Sequence, residues 1–192
     1  MQNMNEQPVE IVDYDRAWPE AWVRERHLLE SLIGDFIVGG CEHIGSTAVP
    51  GLPAKPVVDV MVGVASLVAS RPAIDVLSRS GYLYSPYRPD VMHWFCKPSL
   101  ALRTHHVHLV PFGCELWQDR LLFRDHLRMH GSIAGEYARL KRELAARHRN
   151  DREAYTDGKT AFVQRILAIA HANEQAQAAG RTDRTRDSQA MR

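Results

Sequence analysis

The sequence has almost no net charge: 24 Lys and Arg residues stand against 23 Asp and Glu, a formal balance of +1 over 192 residues. It therefore lacks the basic excess with which many nucleic-acid binders neutralise phosphate backbones, and no nucleic-acid partner is expected. It also lacks an apolar run of roughly eighteen residues, so no membrane partner is expected. The first thirty residues contain no basic start followed by an apolar core and a small-residue cleavage site, and a soluble cytoplasmic protein is expected. Cysteine is scarce. Cys41, Cys96 and Cys114 are widely spaced and form no C-x-x-C pair, which argues against a disulfide frame or a structural zinc site and for reduced, packed thiols. Internal repeats are absent.

A hydrophobic content of 45% over 192 residues is enough for one domain with a real core, placed here at residues 1–172. The remainder, NEQAQAAGRTDRTRDSQAMR, has no aromatic residue and mixed charge. Burial there cannot offset ordering entropy, so residues 173–192 are expected to form a polar flexible tail.

Hydrophobic spacing predicts the elements. Val9 to Val12 reads as a short strand, and Trp18, Trp22, Leu29, Leu32 and Ile33 recur at helical spacing up to Gly34. Phe36 to Ile44 and Val57 to Val64 read as strands. In the second, Val58, Val60, Val62 and Val64 share one face, which places Asp59 on the other. A helix capped by Ser70 ends at Gly81, after which Tyr82 to Ser85, Val91 to Cys96 and Arg103 to Val110 read as an antiparallel meander. Helices are predicted at Glu115 to Met129, Ile133 to Arg149 and Arg152 to Ala172. The implied fold class is α+β: a mixed, mostly antiparallel sheet covered by helices, with a helical C-terminal part.

Residues 43–63, HIGSTAVPGLPAKPVVDVMVG, place a carboxylate and two hydroxyls beside a turn. Gly45 and Ser46 precede Asp59 by twelve intervening residues, an order that resembles the nucleotidyltransferase superfamily signature. That resemblance implies Gly-Ser contacts to a phosphate and strand carboxylates holding a divalent metal. The usual second carboxylate lies two residues on, on the same strand face, and here that position is Met61. A thioether does not replace a hard oxygen ligand for magnesium.

The segment RTHHVHLV supplies a second cluster. In a strand, Thr104, His106 and His108 share one face, so two imidazoles at i and i+2 can chelate a metal. Asp59 or His43 from neighbouring strands would complete a site for a divalent ion, with magnesium, manganese and zinc as candidates. Hydrogen-bonded packing histidines are the plain alternative. His106 or His108 can also serve as a base, with Asp59 the third catalytic candidate.

Several residues are candidates for holding an anionic ligand. Ser46 and Thr47 either contact phosphate or make a local turn. Lys55 either neutralises a phosphate or is solvated, and Arg103 either grips an anion or pairs across strands. On LLFRDHLRMH, Arg124 and Arg128 lie four apart and either clamp a phosphate or pair with Asp125. Tyr155 and Lys159 lie four apart on the last helix, with Lys141 on the helix before, and these can form a pocket wall. Trp18, Trp22 and Trp117 read as packing residues.

Taken at greater length, the chain resembles the GrpB family, small bacterial proteins assigned to the nucleotidyltransferase fold, from about residue 9 to 170. The resemblance rests on IVDYDRAWP, EHIGSTAVPGLPAKPVVDVMV, RTHHVHLV and LLFRDHLRMH, with the dispersed Tyr137, Leu140, Lys141, Asp151, Tyr155, Lys159 and Phe162. It implies a fold and a pocket more securely than a reaction. Related domains fused to dephospho-coenzyme A kinase add an associational hint of nucleotide metabolism. Two functions follow: a metal-dependent enzyme moving a nucleotidyl or phosphoryl group to a small acceptor, or a noncatalytic module binding a nucleotide or phosphorylated metabolite.

Overall fold

The alternation of valines along the Asp59 strand sets the two layers of the molecule. In the computed structural model, which describes residues 7–190 and side chains through residue 175, this strand is β2, Val58–Val64. Val58, Val60, Val62 and Val64 are buried against α1 (Trp18–Ile33) and α2 (Pro72–Arg79), together with Leu29, Ile33 and Leu77. The opposite face carries Asp59 and fully buried Met61, which packs with Ile44, Met92, Trp94 and Trp117. Alternate residues of one strand thus build the core on one side and present the site on the other.

Five strands form one sheet in the order β1-β2-β5-β4-β3. β1 (Ile37–Ile44) pairs antiparallel with β2, and β2 pairs parallel with β5 (Arg103–Pro111). β4 (His93–Pro98) and β3 (Leu83–Ser85) complete the antiparallel meander. The parallel pair needs a long connection, supplied by α2, β3 and β4. This is the α+β class with a mixed, mostly antiparallel sheet that the pattern implied.

Four helices follow the sheet: α3 (Glu115–Met129), α4 (Gly131–Arg147), α5 (Arg152–Asp157) and α6 (Thr160–Ala190). The helix expected over Arg152 to Ala172 is therefore two. Asp151 caps α5 by accepting from the Ala154 amide at 2.9 Å. At Gly158, a Cβ would come within 2.5 Å of Leu144 Cδ2, so the break lets α5 lie against α4. The backbone of α6 stays helical into the segment expected as a flexible tail; side chains from 176 on, and residues 191 and 192, lie outside the described ones.

Other differences are local. The Val9 to Val12 strand reduces to one bridge between Val12 and Ala54. Ser70 does not cap α2: its hydroxyl donates to the Ser66 carbonyl at 2.9 Å, and the helix starts at Pro72, whose missing N–H costs nothing there. The three cysteines form no disulfide, with Cys96 buried and the others half-buried. Burial pushes the Cys41 thiol up to about 12. Trp18 and Trp117 are core residues, and Trp22 stacks on His43. Among the described residues, no helix is long and apolar enough to cross a membrane.

Candidate metal centre

Parallel pairing of β2 with β5 sets Asp59 beside His106 and Met61 beside His108. Asp59, His106 and His108 emerge on one sheet face, and a ligand atom from each lies within 4.8 Å of the others. His106 Nδ1 is 2.9 Å from Asp59 Oδ1, and His108 Nε2 is 3.5 Å from the same oxygen. The carboxylate remains 26% exposed, the opening by which a ligand reaches the cluster.

The surroundings decide which nitrogens are basic. His108 Nδ1 lies 3.4 Å from Met92 Sδ. A thioether accepts and never donates, so this contact favours the tautomer with the proton on Nδ1 and the lone pair on Nε2. At 3.5 Å, Nε2 is too far from Asp59 for a good hydrogen bond, and it has no other partner; neither does buried His106 Nε2. Burial pushes the His108 pKa down and outweighs the raising effect of Asp59. Burial alone would raise the Asp59 carboxyl, but the hydrogen bond from His106 and the two imidazoles hold it well below the carboxylate range.

An imidazole lone pair thus faces an anionic oxygen across 3.5 Å. Ligands about 2.1 Å from a shared ion lie roughly 3–4 Å apart, so this spacing fits a cation between them. Two nitrogens and one oxygen suit zinc or manganese better than magnesium, which takes oxygens. The imidazole beside Met61 would supply a donor where the thioether does not.

Gly45 is part of this geometry. Its φ is +71°, and a Cβ there would sit 2.5 Å from Asp59 Oδ2, so glycine lets the turn close over the carboxylate. Ser46 follows on a short helical turn, Ser46–Ala48. Burial pushes the Tyr137 hydroxyl up to about 12, and Arg120 and then Ser46 act against it.

His43 does not join the cluster. It lies opposite Val60 on β1, while Ile44 is the residue opposite Asp59. Its ring stacks on Trp22 at 5.5 Å, its Nε2 bonds Thr47 Oγ1 at 3.0 Å, and burial lowers its pKa to about 4. Thr47 in turn donates to the Val57 carbonyl at 3.3 Å and is 1% exposed, so both side chains brace the loop.

Arg124 and Arg128 form no phosphate clamp. Arg124 reaches Glu42 at 2.7 Å, the His43 carbonyl at 3.0 Å and both oxygens of Asp125. Arg128 donates twice to the Ala48 carbonyl, at 2.9 and 2.8 Å, and once to Asp125. These guanidiniums satisfy orphan carbonyls and fasten α3 to β1 and to the turn beside Asp59. Arg103 donates to the Leu100 carbonyl at 3.0 Å and lies over Trp94, which tilts against His106 at 5.0 Å.

Lys55, Lys141 and Lys159 gather around two tyrosines. Lys159 and Lys55 Nζ lie 4.4 and 5.1 Å from the Tyr155 ring centroid, and Lys141 Nζ lies 4.8 Å from that of Tyr137. Lys141 is 1% exposed and donates to the Pro53 carbonyl. Burial, then neighbouring cations, lower Lys141 and Lys159 to about 7, while Asp59 pulls Lys159 back up. Arg120 was not singled out from the sequence, yet its charge acts on His108, Tyr137 and Lys159. Extending the Arg124 and Arg128 spacing four residues back finds it.

Sheet, carboxylate, imidazoles and helical cover define an α+β protein built around a candidate metal centre. A family model described as GrpB protein matches residues 8–168, and the chain belongs to the GrpB family. It is 33% identical over 172 residues to the glutamate-rich protein GrpB of Alkalihalophilus pseudofirmus, covering 87% of this chain and 98% of that protein. It is 35% identical over 156 residues to the UPF0157 protein YqkA of Bacillus subtilis, covering 81% of this chain but 45% of that protein. The chain thus spans less than half of that relative's length. A crystal structure of GrpB from Enterococcus faecalis superposes with a TM-score of 0.78 at 31% identity, covering 86% of this chain and 99% of that one. A more distant similarity, 28% over 176 residues, is to a dephospho-CoA kinase of Mycolicibacterium paratuberculosis, of which it covers 42%.

Proposed function

We propose that this protein is a metal-dependent enzyme of the nucleotidyltransferase type, moving a nucleotidyl or phosphoryl group to a small acceptor. The observation that carries this reading is the convergence of Asp59, His106 and His108, with His108 Nε2 3.5 Å from the Asp59 carboxylate. Asp59, His106 and His108 would hold a divalent ion, zinc or manganese before magnesium. A bound ion there supplies Lewis acidity toward a phosphoryl oxygen. Gly45 lets the turn approach the carboxylate, and Ser46, next on that turn, would orient a phosphate. Before an ion binds, His106 Nδ1 donates to Asp59 and so keeps that oxygen in register with His108; as a ligand, the same nitrogen would give up that proton and present its lone pair.

A second reading is favoured by Met61. It is fully buried at the position where a two-metal site needs its second carboxylate, and a site with one carboxylate can bind a nucleotide or phosphorylated metabolite without turning it over. The test is elemental analysis of purified protein, then thermal shifts with nucleoside triphosphates and divalent ions, then an assay for released phosphate or pyrophosphate. Metal-dependent stabilisation and turnover, both lost in Asp59→Ala and His108→Ala, support the enzyme. Binding without turnover supports the module, and the absence of both metal and nucleotide binding sinks both readings.

A further inference from the structure

We propose that Lys55, Lys141 and Lys159, with the rings of Tyr137 and Tyr155, form a separate anion subsite beside the metal centre that takes the diphosphate group of a phosphoanhydride ligand. The inference rests on the functional reading above and extends it by naming the ligand class.

Three ammonium groups from three parts of the chain meet here. Lys55 comes from the loop before β2, Lys141 from α4, and Lys159 from the break between α5 and α6. Lys55 and Lys159 flank a single ring, that of Tyr155, at 5.1 and 4.4 Å. Lys141 is buried to 1% exposure, with its ammonium against Tyr137 and the Pro53 carbonyl. Among the described residues, neither Lys141 nor Lys159 forms an ion pair with a carboxylate. A buried ammonium without a counterion is costly, and packing alone does not call for a lysine there. The cations also oppose one another, since Lys55 acts on both other lysines and Lys159 acts on Lys141.

Lys55 lies on the loop that enters β2 just ahead of Asp59, and the charge of Asp59 acts on Lys159, so the lysines lie beside the metal centre. One anionic group on the metal centre leaves the lysine group for a second, attached one. A single carboxylate offers two oxygens, whereas a diphosphate carries several charges and enough oxygens for all three ammoniums. Tyrosine faces hold those ammoniums in place by cation–π contact.

Inorganic pyrophosphate is the probe, titrated calorimetrically into EDTA-treated full chain and compared with orthophosphate and malonate. Pyrophosphate is expected to bind at least tenfold more tightly than either. Lys55→Met and Lys159→Met are each expected to weaken pyrophosphate at least tenfold with an unchanged circular dichroism spectrum. These two are chosen because Lys141 is bonded into the fold. Equal affinity for pyrophosphate and orthophosphate, malonate binding as tightly as pyrophosphate, or wild-type pyrophosphate affinity in both variants would overturn the subsite. Metal uptake is read separately by elemental analysis. Retained pyrophosphate preference without metal uptake upholds the subsite and overturns only the metal centre.

Discussion

A Cβ on Gly45 would lie 2.5 Å from Asp59 Oδ2, closer than any real carbon approaches a carboxylate oxygen. The turn after β1 and the carboxylate of β2 therefore occupy positions that only glycine permits. Gly45→Ala adds the clash to the strain of φ +71° and should destabilise the fold by about 1–3 kcal/mol. The shift of Asp59 needed to relieve the clash should also abolish metal uptake. Urea unfolding and elemental analysis on the same preparation test this, and a stable variant that still takes up metal would refute it.

The two faces of the sheet separate His108 from His43. His108→Ala removes a proposed ligand and should cost more metal affinity than the roughly 10–100-fold typical of a lost outer partner. His43→Ala loses the Trp22 stack and the Thr47 bond. It should lower stability by about 1–2 kcal/mol while metal affinity stays within a few-fold. Competitive titration against a chelator distinguishes them; equal losses of affinity would mean that His43 acts on the centre.

Much of this arrangement was legible in the chain. The valine alternation of β2 put Asp59 on the face away from the core, and the i, i+2 pair in RTHHVHLV put His106 and His108 together. The register that joins them was not, because parallel pairing depends on a crossover of about forty residues whose geometry no local pattern encodes. His43 shows the cost. It sits next to the Gly-Ser turn in sequence, but strand parity sends it to the opposite face from Asp59. The arginines fail differently: helical spacing correctly paired Arg124 with Arg128, but their acceptors are the His43 and Ala48 carbonyls, about eighty residues distant.

Those carbonyls make the arginines structural. Arg128→Gln should lower stability by about 1–3 kcal/mol, since it removes two bonds that satisfy the Ala48 carbonyl. Arg124→Gln should cost at least as much, because Arg124 is buried and also serves Glu42, Asp125 and the His43 carbonyl. Neither should change the ionic-strength dependence of pyrophosphate binding, as removal of a cation in direct contact with the anion would. Calorimetry at several salt concentrations checks this, and a shallower dependence in Arg128→Gln would return it to the ligand site.

The lysine group gives stability an unusual dependence on pH. Burial lowers Lys141 and Lys159 to about 7 in the folded protein, from the ordinary lysine value of 10.5. Between those values the unfolded chain binds more protons than the folded one, so unfolding free energy rises as pH increases from 7. Above pH 9 the half-buried Cys41 thiol, held up to about 12, acts in the opposite direction, because there the folded state keeps the proton. Two lysines outweigh one thiol, so stability should climb from pH 7 to about 9 and more slowly above it, turning down only above about 10, where the raised hydroxyls of Tyr82, Tyr137 and Tyr155 also keep their protons in the fold. Lys141→Met removes one titrating cation and should flatten the climb by on the order of 2 kcal/mol, with the variant at least as stable as wild type at pH 7. Pyrophosphate should have its largest stabilising effect near pH 7, where both lysines gain most from a counterion. Urea melts at pH 7, 8 and 9, with and without pyrophosphate, measure each effect. A wild-type profile that falls steadily from pH 7, or one that Lys141→Met leaves unaltered, would mean that these ammoniums stay fully charged in the fold.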